Sequence, residues 1–132
     1  MRMVFVNLPV QDIKRSREFF GALGFSFNEE FSDDETTCVV IDENIFVMLL
    51  EEARFKTFIN GDISDPKTTE VLTALSAESP QEVDDLLAKA LAAGGKPWKP
   101  VMQEGPMYGA SFQDPDGHVW ELVSMSTEEA AG

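Results

Sequence analysis

Basic residues are scarce in this chain: 10 lysines and arginines stand against 24 aspartates and glutamates, a formal net charge of -14. A surface of that sign repels phosphate backbones and anionic headgroups, so neither a nucleic-acid nor a membrane partner is expected. Cysteine is nearly missing. Cys38 stands alone, which excludes an internal disulfide, and its place between Thr37 and Val39 suits a small strand residue. Long apolar runs are absent as well, and the opening Met1-Arg2-Met3-Val4-Phe5-Val6-Asn7 meets a polar residue and then Pro9 too soon for a signal peptide. A cytoplasmic protein is expected. What is present is enough for one domain: 132 residues, 43% of them hydrophobic, with the acids gathered in loop clusters such as Asp33-Asp34-Glu35 and Glu51-Glu52.

In chain order, Met3 to Leu8 reads as a strand stopped by Pro9, and Asp12 as the N-cap of a helix through Leu23 that ends at Gly24. Phe25 to Phe31 alternates as a strand, and Thr36 to Ile41 and Ile45 to Leu50 follow as apolar strands joined by Asp42-Glu43-Asn44. Ala53 to Thr68 carries mixed signals. Phe55, Phe58 and Ile59 suggest a helical turn, whereas Asn60-Gly61-Asp62 and Asp65-Pro66 suggest loop, and the stretch reads as a connector or a lid. Val71 to Ala77 opens the second half, and Ser79-Pro80-Gln81-Glu82 is a capping box with proline at the first helical position. The helix it starts is expected to bury Val83, Leu86, Leu87, Ala90 and Leu91 and to end at Gly94-Gly95. Pro97 and Pro100 make Lys96 to Met102 an edge or irregular strand. Thr127 to Gly132 reads as a frayed tail.

Met107 to Gln113 and His118 to Met125 form the closing hairpin around Asp114-Pro115-Asp116-Gly117. Alternation puts Val119, Glu121 and Val123 on one face and His118, Trp120 and Leu122 on the other. Glu121 thus falls among apolar neighbours, where a carboxylate needs a cation, a hydrogen-bond donor or a shifted pKa. The halves superpose on their strands, Phe5 over Leu72 and Met48 over Glu121, giving internal modules of about 1–66 and 67–132.

Three sets of residues, in order along the chain, carry a family resemblance: Val10-Gln11-Asp12-Ile13 with Ser16, Phe19-Phe20 and Leu23-Gly24-Phe25; Ala93-Gly94-Gly95; and Phe112 through Leu122. In them the chain resembles the vicinal oxygen chelate superfamily, which includes glyoxalase I, extradiol dioxygenases, fosfomycin-resistance proteins and bleomycin-resistance proteins. The resemblance implies a single α+β domain over residues 1–132. Two βαβββ modules would form an eight-stranded, incompletely closed mixed barrel, assembled as a homodimer with the ligand in the barrel. It also implies a divalent metal at the positions of Phe5, Met48, Leu72 and Glu121, of which only Glu121 can ligate, because phenylalanine and leucine offer no lone pair. No cofactor is therefore expected, with one divalent metal on Glu121 and His118 as the fallback. The expected ligand-binding set is Phe5, Asn7, Met48, Leu72, Trp98, Tyr108, Phe112 and Glu121, with Phe55 and Phe58 as further aromatics. Such a set suits a small cationic or aromatic ligand. The function expected is metal-independent small-molecule binding of the bleomycin-resistance kind. The alternative is a glyoxalase-type lyase or isomerase, or a ring-cleaving dioxygenase, with Glu121 as ligand or proton shuttle.

Overall fold

The apolar and β-branched runs of the first half pair into one mixed sheet. The computed structural model describes residues 1–125, and the tail expected from Thr127 to Gly132 lies outside them. Strands β1 (Val4–Val10), β2 (Ser26–Phe27), β3 (Thr36–Asp42) and β4 (Ile45–Glu51) lie in the order β1-β4-β3-β2, with β1 parallel to β4 and the other pairs antiparallel. β1 runs on through Pro9, contrary to the expected stop. It is an edge strand, so a residue without an N–H is tolerated there.

Helix α1 (Ile13–Ala22) starts where the sequence marks it. Asp12 Oδ1 accepts from the N–H groups of Lys14 and Arg15 at 2.9 and 3.4 Å, and Glu51 Oε2 accepts from that of Ile13 at 3.3 Å. Gly24, at φ +101°, turns the chain out of the helix. The strand expected from Phe25 to Phe31 survives only as β2. Asn28 Oδ1 accepts from the N–H groups of Glu30 and Phe31, which winds Glu29–Phe31 into a 3-10 turn instead.

Ile13, Ser16, Phe19 and Phe20 of α1 are buried, as are Thr37, Val39, Val47 and Leu49 on the sheet face that α1 covers. Thr37 is 0% exposed, and its Oγ1 has no hydrogen-bond partner among the described residues. A buried hydroxyl left in that state costs about 1 kcal/mol or more, whereas valine has the same branching and nothing to satisfy. Thr37→Val is expected to raise the melting temperature by about 3 °C in thermal denaturation, the equivalent of about 1 kcal/mol in a chain of this size. A lower melting temperature would mean that the hydroxyl has found a partner.

The second half builds its own sheet from β5 (Leu72–Ala77), β6 (Lys96–Pro97), β7 (Met102–Glu104), β8 (Met107–Gln113) and β9 (Val119–Met125). Its order is β5-β9-β8-β6, with β7 also paired to β8. Helix α3 (Pro80–Ala92) follows the capping signal: Ser79 Oγ accepts from the Glu82 N–H at 3.1 Å, and Glu82 Oε1 accepts from the Glu78 N–H at 3.0 Å. Of its expected buried face Val83 and Ala90 are buried, Leu86 and Leu87 are half-buried, and Leu91 is exposed at the helix end. Helix α2 (Glu52–Lys56), a short helix at the start of the connector, packs on β1 and β4 within the first half. Residues Met1–Asp65 and the chain from Pro66 onward are separate packing units.

The two sheets share one register. β1 pairs with β4 as Phe5↔Phe46 and Asn7↔Met48, and β5 pairs with β9 as Leu72↔Val119 and Ala74↔Glu121. Laying Phe5 on Leu72 and Met48 on Glu121 carries the first pairing onto the second. No helix among the described residues is long and apolar enough to cross a membrane.

Candidate functional site

Alternation along β1 and β4 sends Phe5, Asn7, Met48 and Leu50 to the sheet face opposite α1. On β3, Thr36 pairs with Leu50 and joins the same face. These residues line a cavity of about 400 Å³ within the first unit, together with Phe31, Asp33, Arg54 and Phe58. Phe5 is fixed by its neighbours: it stacks on Phe46 with centroids 5.0 Å apart and meets Phe31 edge-on at 6.1 Å. Three of the residues expected from sequence, Phe5, Asn7 and Met48, are thus brought together. Phe58 joins them from the connector, while Phe55 does not line the cavity.

Phe31, Asp33, Thr36, Leu50 and Arg54 were not foreseen. Leu50 and Thr36 were legible in principle, since both follow from Met48 by the period of two and the β3–β4 pairing. Phe31 reaches the cavity from a 3-10 turn that replaces the expected strand, and Arg54 from α2, within the stretch whose signals were mixed.

The expected residues of the second half are split between two faces. β8 and β9 pair as Ser111↔Glu121, Phe112↔Trp120 and Tyr108↔Ser124. Phe112 and Tyr108 therefore share the face of Trp120, not that of Glu121. Phe112 is 1% exposed and belongs to the core beneath α3. Tyr108 donates its hydroxyl to Asp84 Oδ1 on α3 at 2.6 Å, and that bond, which favours the protonated phenol, raises its pKa. Trp98 is exposed in the segment between β6 and β7, where the Lys99 N–H donates to Ser111 Oγ at 3.0 Å.

Glu121 shares its face with Leu72 and Ala74 and is half-buried, so the apolar enclosure expected of it is only partial. Among the described residues its side chain makes no hydrogen bond or ion pair. The buried carboxylate is instead Asp114, at the start of the hairpin turn. Its Oδ1 accepts from the N–H groups of Asp116 and His118 at 2.9 and 3.0 Å, and its Oδ2 accepts from Trp120 Nε1 at 3.0 Å. Burial pushes this carboxyl up, against the pull of His118 and of the Trp120 and His118 N–H donors. His118 is a turn residue, bonded through its own backbone to Asp114 on both sides. Burial likewise pushes the Cys38 thiol up, which leaves it a poor nucleophile.

The donor set does not fit the metal that the family implies. Phe5 and Leu72 have no lone pair, Met48 offers only a thioether, and among the described residues no three of histidine, cysteine, aspartate and glutamate converge on one point.

A family model described as "Bleomycin resistance protein-like N-terminal" matches residues 2–42. Among solved structures, the chain is similar to the hypothetical protein SA1046 from S. aureus, with 29% identity, a TM-score of 0.81 and 94% of each chain covered. A glyoxalase/bleomycin resistance protein/dioxygenase family enzyme from Burkholderia phytofirmans shares the fold at 17% identity, with a TM-score of 0.78 over 95% of this chain and 99% of that one. So does the fosfomycin resistance protein FosX from Listeria monocytogenes, solved with Mn(II) and sulfate, at 22% identity and a TM-score of 0.70 over 96% and 92%. No curated protein sequence matches.

Proposed function

We propose that the chain is a member of the vicinal oxygen chelate superfamily and that it binds a small aromatic molecule without a metal. The observation that carries this reading is the cavity of the first unit. Phe5, Phe31 and Phe58 supply ring faces and edges, Met48 and Leu50 an adaptable apolar floor, and Asn7 and Thr36 a few polar groups to fix orientation. A cavity of about 400 Å³ accepts a molecule of two fused rings. Binding uses stacking and burial of apolar area, neither of which needs a Lewis acid.

The rival reading is a metal-dependent enzyme with Glu121 as ligand, and the likeness to the Mn(II)-bound FosX fold favours it. The experiment that separates them is a calorimetric titration with naphthalene-methanol in chelator-treated buffer. Saturable binding of one molecule per chain is expected, with a Kd in the high micromolar to millimolar range, about 0.3–0.4 kcal/mol for each heavy atom. No saturable binding would refute the proposal.

A further inference from the structure

The acidic composition points to a cationic ligand, yet the cavity lining holds a cation, Arg54, as well as a carboxylate, Asp33. Asp33 Oδ1 accepts the Glu35 N–H at 2.8 Å in the turn before β3, which ties that side chain to its own loop. Arg54 has no such commitment. Its guanidinium carbon lies 4.6 Å from the centroid of Phe58, a cation–π contact. Among the described residues it forms no ion pair and no side-chain hydrogen bond, although the chain carries 24 carboxylate side chains. A guanidinium so placed presents its fork of N–H donors to a carboxylate bound beside it, and the apolar wall of the cavity raises the worth of that pairing.

We infer that the ligand of this cavity is an aromatic carboxylate, its ring against Phe5 and Phe58 and its carboxylate on Arg54. The inference rests on the proposed function, since it names the ligand class of that same site. Asn7 is the neutral donor on the floor nearest in kind to a second carboxylate partner, although its Nδ2 also donates to the Phe5 carbonyl at 3.1 Å.

Three probes with one ring system and different charge test it: naphthoate, naphthalene-methanol and naphthylmethylammonium. Each is titrated calorimetrically into the wild-type chain, Arg54→Gln and Arg54→Lys. Arg54 is exposed, so the fold is expected to survive both substitutions, and thermal unfolding checks this. Naphthoate is expected to bind roughly tenfold more tightly than the alcohol, with the ammonium probe weakest. Arg54→Gln should bring naphthoate to within about twofold of the alcohol measured on the same variant, and Arg54→Lys should keep part of the preference. A preference for the ammonium probe, equal binding of all three, or a naphthoate preference that survives Arg54→Gln would overturn the inference while leaving the cavity as the binding site. Failure of all three probes to bind would overturn the proposed function and the inference with it.

Discussion

Asp114→Ala is expected to cost about 3 kcal/mol of stability and to lower the melting temperature by about 10 °C. Three N–H groups lose their acceptor at once. Those of Asp116 and His118 sit in a half-buried turn and recover part of the loss from water, but Trp120 is 1% exposed and its indole N–H has nowhere else to go. The turn itself keeps two backbone bonds, Asp114 N–H to the His118 carbonyl and Gly117 N–H to the Asp114 carbonyl, both 2.9 Å, so the hairpin is expected to fold but loosely. Removing a carboxylate that burial already disfavours offsets part of the cost, which is why the figure is not larger. Asp114→Asn keeps an oxygen for the backbone donors and turns an amide toward Trp120 Nε1, so it should fall between wild type and alanine. Chemical denaturation with tryptophan fluorescence reads both variants. An alanine variant within about 0.5 kcal/mol of wild type would mean that the carboxylate does not hold the indole.

Phe5→Ala is expected to weaken naphthalene-methanol binding by tenfold or more, whereas Leu72→Ala should leave it within about twofold. The internal repeat equates the two positions, and the resemblance gives them equal weight as metal positions. They differ in surroundings. Phe5 is held between Phe46 and Phe31 and lines the cavity, while Leu72 is 51% exposed on the edge strand β5 and lines none of it. Some stability is also lost at Phe5, about 1–2 kcal/mol, because its ring covers Phe46. The affinities are therefore compared at a temperature where thermal unfolding shows both variants folded. Equal losses at the two positions would mean that the first unit does not hold the ligand by itself.

How much of this was legible in the sequence depended on whether a feature was local. Asp12, Gly24, Ser79-Pro80 and Asp114 to Gly117 each satisfy or release backbone groups within a few residues, and each took its expected place. The shared face of Phe5 and Asn7 followed from a period of two, and Met48 came with them through the family resemblance. Two kinds of information were missing. Capping by a residue inside an alternating stretch, as Asn28 does before the Glu29–Phe31 turn, overrides the strand pattern without changing it, and so hid Phe31. Arg54 was hidden because the mixed signals after Glu52 do not say which way a short helix faces. The separation of Tyr108 and Phe112 from Glu121 was, by contrast, legible. Once Gln113 and Val119 close the turn, parity alone sets Phe112 across from Trp120 and away from Glu121.

The most direct test of the central claim, a cavity that works without a metal, is the naphthalene-methanol titration run in two buffers. One contains chelator and the other saturating Mn(II), Zn(II) or Ni(II), with metal content measured on the dialysed protein. The same Kd in both buffers, far less than one metal per chain after dialysis, and no change in either result on Glu121→Gln are the outcomes predicted here. Binding that requires the metal, with about one ion retained per chain and both lost in Glu121→Gln, would contradict the account and make Glu121 a metal ligand.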